Sequence, residues 1–223
     1  MSDDAPTPAD FGHLLALLVH DLRNPAATVG ANVDFLREVE IPDEDARDAL
    51  DDVGLALEEL KRGLTQIGWI ARWLGGEKAL SPADGDVRAS LEHLASKRGV
   101  PLKLAEGTLR AKGGAGVGDL VVVLLDNSDR HARGKDVAIE AEAYAGGGVA
   151  VRVIDGGTPV DPALREAAFR IAGQPAIKGK SEGRYGRFAG LVAARAAVES
   201  IGGSLVADER DGKCVFELVL PAP

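Results

Sequence analysis

Along the first third of the chain, apolar residues return every three to four positions. From Phe11 to about Glu38 they fall at Leu14, Leu15, Leu18, Leu22, Val29, Val33 and Leu36, a spacing that predicts one long amphipathic helix. Asp10 is placed to cap it, and residues 1–10 read as a disordered tail. Pro25 lies inside the helical pattern, and its missing N–H predicts a kink just below His20. Ile41-Pro42-Asp43 reads as a turn, with Asp43 capping a second helix from Glu44 to about Leu74. Its apolar positions include Ala49, Val53, Leu57, Leu60, Leu64, Ile67, Ile70 and Leu74. Two long helices joined by a short turn form an antiparallel hairpin over residues 11–76. Two helices alone cannot cover both apolar stripes, so the pattern predicts that two copies pair into a four-helix bundle. Trp69 and Trp73, one turn apart near the open end of the hairpin, read as core or interface anchors.

Gly75-Gly76 closes the second helix, and residues 77–86, with Pro82 and Gly85, read as a linker. From residue 87 to 223 the pattern becomes mixed α/β. Helices are predicted over Val87–Arg98, Asp119–Ala132, Leu164–Ile171 and Phe188–Ile201. Alternating stretches predict a strand at Pro101–Ala105, antiparallel strands at Val137–Tyr144 and Gly148–Ile154, and a closing hairpin of Ser204–Asp208 with Cys214–Leu220. The glycine-rich loop Gly113–Gly118 lacks a Gly-Lys-Ser/Thr ending and a preceding apolar strand, which argues against a Walker-type phosphate loop. Gly173–Tyr185 reads as a polar loop.

Composition narrows the class. The 223 residues carry a net charge of -9, which disfavours a nucleic-acid partner because phosphate backbones call for a basic surface. Cys214 is the one cysteine, so no disulfide can form within the chain. No apolar run is long enough to cross a bilayer, and the acidic N-terminus has no signal-peptide character. A cytoplasmic location and no membrane contact are expected.

Four runs carry candidate chemistry. In His20-Asp21-Leu22-Arg23-Asn24-Pro25, a histidine sits beside its own carboxylate. A neutral imidazole is a good nucleophile near pH 7, and an adjacent carboxylate raises its basicity. Asn24, one helical turn on, can face the same solvent. His13 has no such neighbours and reads as an ordinary histidine. The second run, Leu124 to Ala132, places Asn127, Arg130 and His131 on a helix. In the third, an apolar strand ends in Asp155-Gly156-Gly157. The fourth, Gly183 to Leu191, holds Gly186, Arg187 and Gly190 at the start of a helix, with Lys178, Lys180 and Arg184 just before. Those cations can hold phosphates electrostatically.

Taken in order, these runs resemble the core of a two-component sensor histidine kinase: a dimerisation and histidine-phosphotransfer domain, then a divergent ATP-binding domain of the gyrase/Hsp90 type. The resemblance implies a helical hairpin, paired as a dimeric four-helix bundle, followed by an α/β two-layer sandwich. It implies His20 as phospho-acceptor, Asp21 as the acid that takes its proton, and Asn24 as the residue that orients water for dephosphorylating a partner. It further implies ATP and Mg2+ as ligands. Asn127 would bind Mg2+ through its amide oxygen, with Arg130 and His131 near the phosphates. Asp155 would accept from the adenine amine, Gly157 would allow the base to approach, and Gly186, Arg187 and Gly190 would lie along the triphosphate. The chain departs from the family pattern at Val123, where many members carry a second Asn, and at Pro159 and Phe188, where glycines are usual. The implied function is autophosphorylation of His20 and transfer to an aspartate of a response-regulator receiver domain, with an upstream sensor protein as a further candidate partner. Two readings stand beside it. One is a phosphorelay intermediate whose second domain no longer binds ATP; the other is a silent scaffold for regulators.

Overall fold

A computed structural model of the protein describes residues 7–132, 136–170 and 189–223. The chain divides into two compact units, the first ending at Gly75 and the second starting at Gly76.

The first unit is the expected hairpin, α1 (Pro8–Glu38) and α2 (Glu44–Leu74). Helix α1 starts earlier than the apolar pattern indicates. Thr7 is the N-cap: its hydroxyl accepts from Asp10 N–H at 3.2 Å, and its own N–H donates to Asp10 Oδ2 at 2.8 Å. This reciprocal capping box, with Pro8 pre-set in the first turn, draws residues 8–10 out of the expected tail. The Thr7 backbone N–H also holds the Asp10 carboxyl below its ordinary range. Pro25 lies inside α1 and does not interrupt it. Asp43 caps α2 by accepting from Ala46 N–H at 2.8 Å.

Val19, Ala26 and Val33, with Gly12 and Gly30, form the buried face of α1; Gly54, Leu57, Leu64 and Ala71 do so on α2. Gly12 matters here, because a Cβ at that position would sit 2.7 Å from the Ala71 carbonyl oxygen. Only a hydrogen side chain permits that approach of the two backbones. A second apolar stripe is left uncovered: Phe11, Leu14, Leu18, Leu22, Val29 and Leu36 on α1 are exposed, as are Val53 and Leu60 on α2. Trp69 is buried, whereas Trp73 remains exposed.

The second unit holds a five-stranded sheet in the order β2-β4-β5-β7-β6, formed by β2 (Leu102–Leu104), β4 (Ala138–Ala143), β5 (Val149–Asp155), β6 (Ser204–Arg210) and β7 (Lys213–Leu220). Strand β2 pairs parallel to β4, and the other pairings are antiparallel. Ile139, Val151, Val153, Leu205, Phe216 and Leu218 are buried on one face. Helices α3 (Val87–Arg98), α4 (Val117–His131) and α5 (Ala189–Glu199) cover that face. The alternate residues form a polar face, on which Arg152 donates to Glu217 and Glu142, each at 2.6 Å. Period-two alternation with one covered face makes this a two-layer α/β sandwich.

Three local differences from the sequence pattern have physical reasons. The stretch expected to link the units is largely structured within the second one. Strand β1 (Asp84–Asp86) pairs with β3 (Arg110–Lys112), and Ala79 N–H donates to Ser200 Oγ at 2.9 Å. Strands this short carry too little alternation to be seen in sequence. The glycine-rich loop serves that packing, since a Cβ on Gly114 would collide with the Gly85 carbonyl. Residues 164–170 do not form the expected helix. Two 3-10 turns, Pro162–Leu164 and Ala167–Phe169, stand in its place. Tertiary contacts set this shape: Arg165 pairs with Asp208 at 2.7 Å, Glu166 accepts from Arg195 at 2.9 Å, and Phe169 meets Phe216 edge-on.

Candidate functional site

On α1, Val19 is buried against α2, and the residues that follow turn outward with the helical period. His20 and Asp21 are 75% and 76% exposed, with His20 Nδ1 3.2 Å from Asp21 Oδ1. A proton on Nδ1 can donate to this carboxylate, which leaves the lone pair on Nε2. The fold presents the imidazole to solvent with Asp21 beside one of its two nitrogens. Asn24 is exposed one turn farther along.

In the second unit, α4 carries Asn127, Arg130 and His131, and the end of β5 carries Asp155 with Gly157 just beyond it. Val117, Val121, Leu124 and Leu125 anchor α4 in the core. Arg98 on α3 pairs with Asp126 and, at 3.2 Å, with Asp129, which fixes the rotation of α4 around Asn127. Asn127 is half-buried, and its amide has no hydrogen-bond partner among the described residues. A free amide oxygen of this kind suits a hard cation that keeps most of its ligands as water and phosphate. No group of three or more His, Cys, Asp or Glu that could hold a metal occurs among the described residues. Arg130 and His131 lie in the last turn of α4.

Asp155 ends β5 and is only 2% exposed. Its Oδ2 accepts from Ser128 Oγ at 2.6 Å, and its Oδ1 accepts from Gly157 N–H at 2.9 Å. Each carboxylate oxygen has two lone pairs, so one on each remains available to an external donor. Gly157 is confined: a Cβ there would lie 2.8 Å from Asp155 Oδ1 and 3.1 Å from Ala132 Cα. Cys214, opposite Asp155 on β7, is buried, and burial together with the Asp155 charge pushes its thiol up to about 11. Gly190 is buried in the first turn of α5. Gly186 and Arg187 lie outside the described residues, as do Phe188, Lys178, Lys180 and Arg184.

The fold thus joins Asp155 and Gly157 to α4 through Ser128, a residue to which the sequence pattern assigns no role. A signal for it exists in retrospect. Ser128 stands four residues after Leu124 and four before Ala132, a polar side chain at a core-facing position of the helix.

Residues 113–223 match the family described as histidine kinase-, DNA gyrase B- and HSP90-like ATPases. That match covers just under half of the chain. No curated protein matches its sequence. Among solved structures, full-length ShkA in complex with AMPPNP is 21% identical with a TM-score of 0.60, covering 98% of this chain and 47% of that one. The Acinetobacter baumannii histidine kinase AdeS is 15% identical with a TM-score of 0.55, covering 91% of this chain and 97% of its own. Histidine kinase ThkA, in complex with the response regulator TrrA, is 18% identical with a TM-score of 0.56, covering 95% and 62%. At these identities the likeness is one of fold, and the chain spans about half of ShkA. The hairpin and the sandwich together have the fold of a sensor histidine kinase core with its ATPase domain. Among the described residues, no helix is long and apolar enough to cross a membrane.

Proposed function

We propose that this protein is an autophosphorylating histidine kinase acting on His20 and then on a response regulator. The observation that carries the reading is the exposed His20–Asp21 pair, at 3.2 Å, on a chain whose second half is an ATPase-family domain. His20 Nε2 attacks the γ-phosphorus of ATP, the bond from that phosphorus to the β,γ-bridging oxygen breaks, and ADP departs. The proton on Nδ1 stays with the His20–Asp21 pair, so Asp21 stabilises the imidazolium character that grows during attack. In the second step, a receiver-domain aspartate takes the phosphoryl group from Nε2. Asn24, on the same exposed stretch, is assigned the orientation of water for the reverse, dephosphorylating reaction.

The adenine amine donates to Asp155, with Gly157 leaving room for the base. Arg130, His131, Gly186, Arg187 and Gly190 are assigned to the phosphates. Mg2+ would be held by the Asn127 amide oxygen and would supply charge neutralisation at the phosphates. Positioning and electrostatics account for most of the rate in such transfers. The uncovered apolar stripe on the hairpin, from Phe11 to Leu36, supports a homodimer paired through a four-helix bundle.

The test is incubation of the purified protein with γ-labelled ATP and Mg2+, beside His20→Ala. Acid-labile label on the wild type and none on the variant is the expected result. Absence of label together with absence of ATP binding would overturn the kinase reading. Label reaching His20 only from a phosphorylated receiver domain would establish the phosphorelay intermediate instead.

A further inference from the structure

Two hydroxyls on the hairpin helices stay local: Thr28 donates to the Asn24 carbonyl at 3.2 Å and Thr65 to the Lys61 carbonyl at 3.1 Å. Such back-bonding is the ordinary fate of a helical Ser or Thr. Ser128 does otherwise. It is fully buried, and its hydroxyl leaves α4 to reach Asp155 on β5 at 2.6 Å. The other carboxylate oxygen is held by the Gly157 N–H at 2.9 Å. An alanine at position 128 would seal the same core without placing a buried hydroxyl there, so packing alone does not call for a serine.

With both donors in place the carboxylate is fixed about its terminal torsion, which is otherwise broad and soft. Its remaining lone pairs can only accept. We propose that Ser128 is a positioning residue that sets selectivity for a 6-amino purine, by holding Asp155 as an aimed acceptor for the exocyclic amine. A purine with oxygen at position 6 would put acceptor against acceptor, and a purine bare at that position would leave the aimed lone pair unused. Loss of a matched hydrogen bond in a buried site is a strong source of discrimination. The inference rests on the reading of Asp155 as the adenine acceptor.

Binding of ATP and of purine riboside triphosphate, which differs from ATP only by lacking the amine, distinguishes the possibilities. Both are titrated by calorimetry into the full chain as wild type, Ser128→Ala and Asp155→Asn, with GTP as a third ligand and thermal midpoints followed in parallel. Ser128→Ala is expected to weaken ATP by about tenfold and to leave the amine-free analogue within about twofold, so that the preference for ATP collapses. GTP is expected to bind the wild type more weakly than either. An equal weakening of both purines by Ser128→Ala would assign the serine to packing and overturn the proposal, as would no change in either. If Asp155→Asn keeps the wild-type preference for ATP, or if the wild type binds no ATP, the adenine reading itself fails and the Ser128 inference fails with it.

Discussion

The two units solve opposite problems. In the hairpin the residue proposed as phospho-acceptor is on the outside: His20 and Asp21 are adjacent in sequence, three-quarters exposed, and aimed by the burial of Val19. In the sandwich the residue proposed to read the base is inside. Asp155 is 2% exposed and is held by residues from a different element. Their cores differ in the same sense. The sandwich seals Phe216, Leu124, Leu218 and Ile139 completely, whereas the hairpin leaves Leu14, Leu18, Leu22 and Leu60 about half exposed. On the proposed reading, a group that meets a second protein can sit on a scaffold that is itself finished by association. A group that must discriminate a small ligand needs a scaffold already closed, because hydrogen bonds gain selectivity away from water.

That contrast can be attacked at several points. The largest expected effect is in the sandwich. Phe216 is 1% exposed and meets Phe169 edge-on at 6.4 Å, so Phe216→Ala should cost about 3–5 kcal/mol of stability by denaturant titration. A loss below about 1 kcal/mol would mean that this core is not closed around Phe216.

Next is the hairpin stripe. Leu18→Glu combined with Leu22→Glu places charges where apolar surface is uncovered. Light scattering should give a mass of two chains for the wild type and one for the variant, with dissociation strengthened more than about a hundredfold and the sandwich's own melting unchanged. Equal masses for both proteins would break the claim that association completes the hairpin.

The smallest effect concerns the segment clamped between β6 and α5. The hydrogen bond from Arg195 holds the Glu166 carboxyl below its ordinary range. A carboxylate lowered in the folded state contributes stability above its unfolded pKa and loses it as pH falls through the folded value. Glu166→Gln should therefore cost less than about 1 kcal/mol at neutral pH, the Glu166 side chain being half exposed to solvent. The difference from wild type should vanish on acidification. A difference that grew toward low pH would reverse the assigned sign.

How much of this was legible beforehand depends on how local each feature is. The hairpin, its turn and the His20 run were readable because a helix repeats every 3.6 residues and its neighbours in space are its neighbours in sequence. The same holds for α4 with Asn127 and for β5 ending in Asp155. Helix α1 began earlier than its apolar pattern because the capping box at Thr7 and Asp10 is a polar signal, not an apolar one. The pairing of β1 with β3 was not readable, since two three-residue strands joined across α3 leave no periodic trace.

By itself, then, the sequence determined where long periodic elements lie and which contiguous residues stand beside His20. Only the tertiary structure decided that Leu164 to Phe169 turns twice instead of forming a helix, because its shape answers to Asp208, Arg195 and Phe216 from distant strands and α5. Only it decided that Ser128 bonds Asp155, 27 positions away, in place of its own helix. Local periodicity is written in the order of residues; a hydrogen bond between two elements depends on their register and separation, which packing alone fixes.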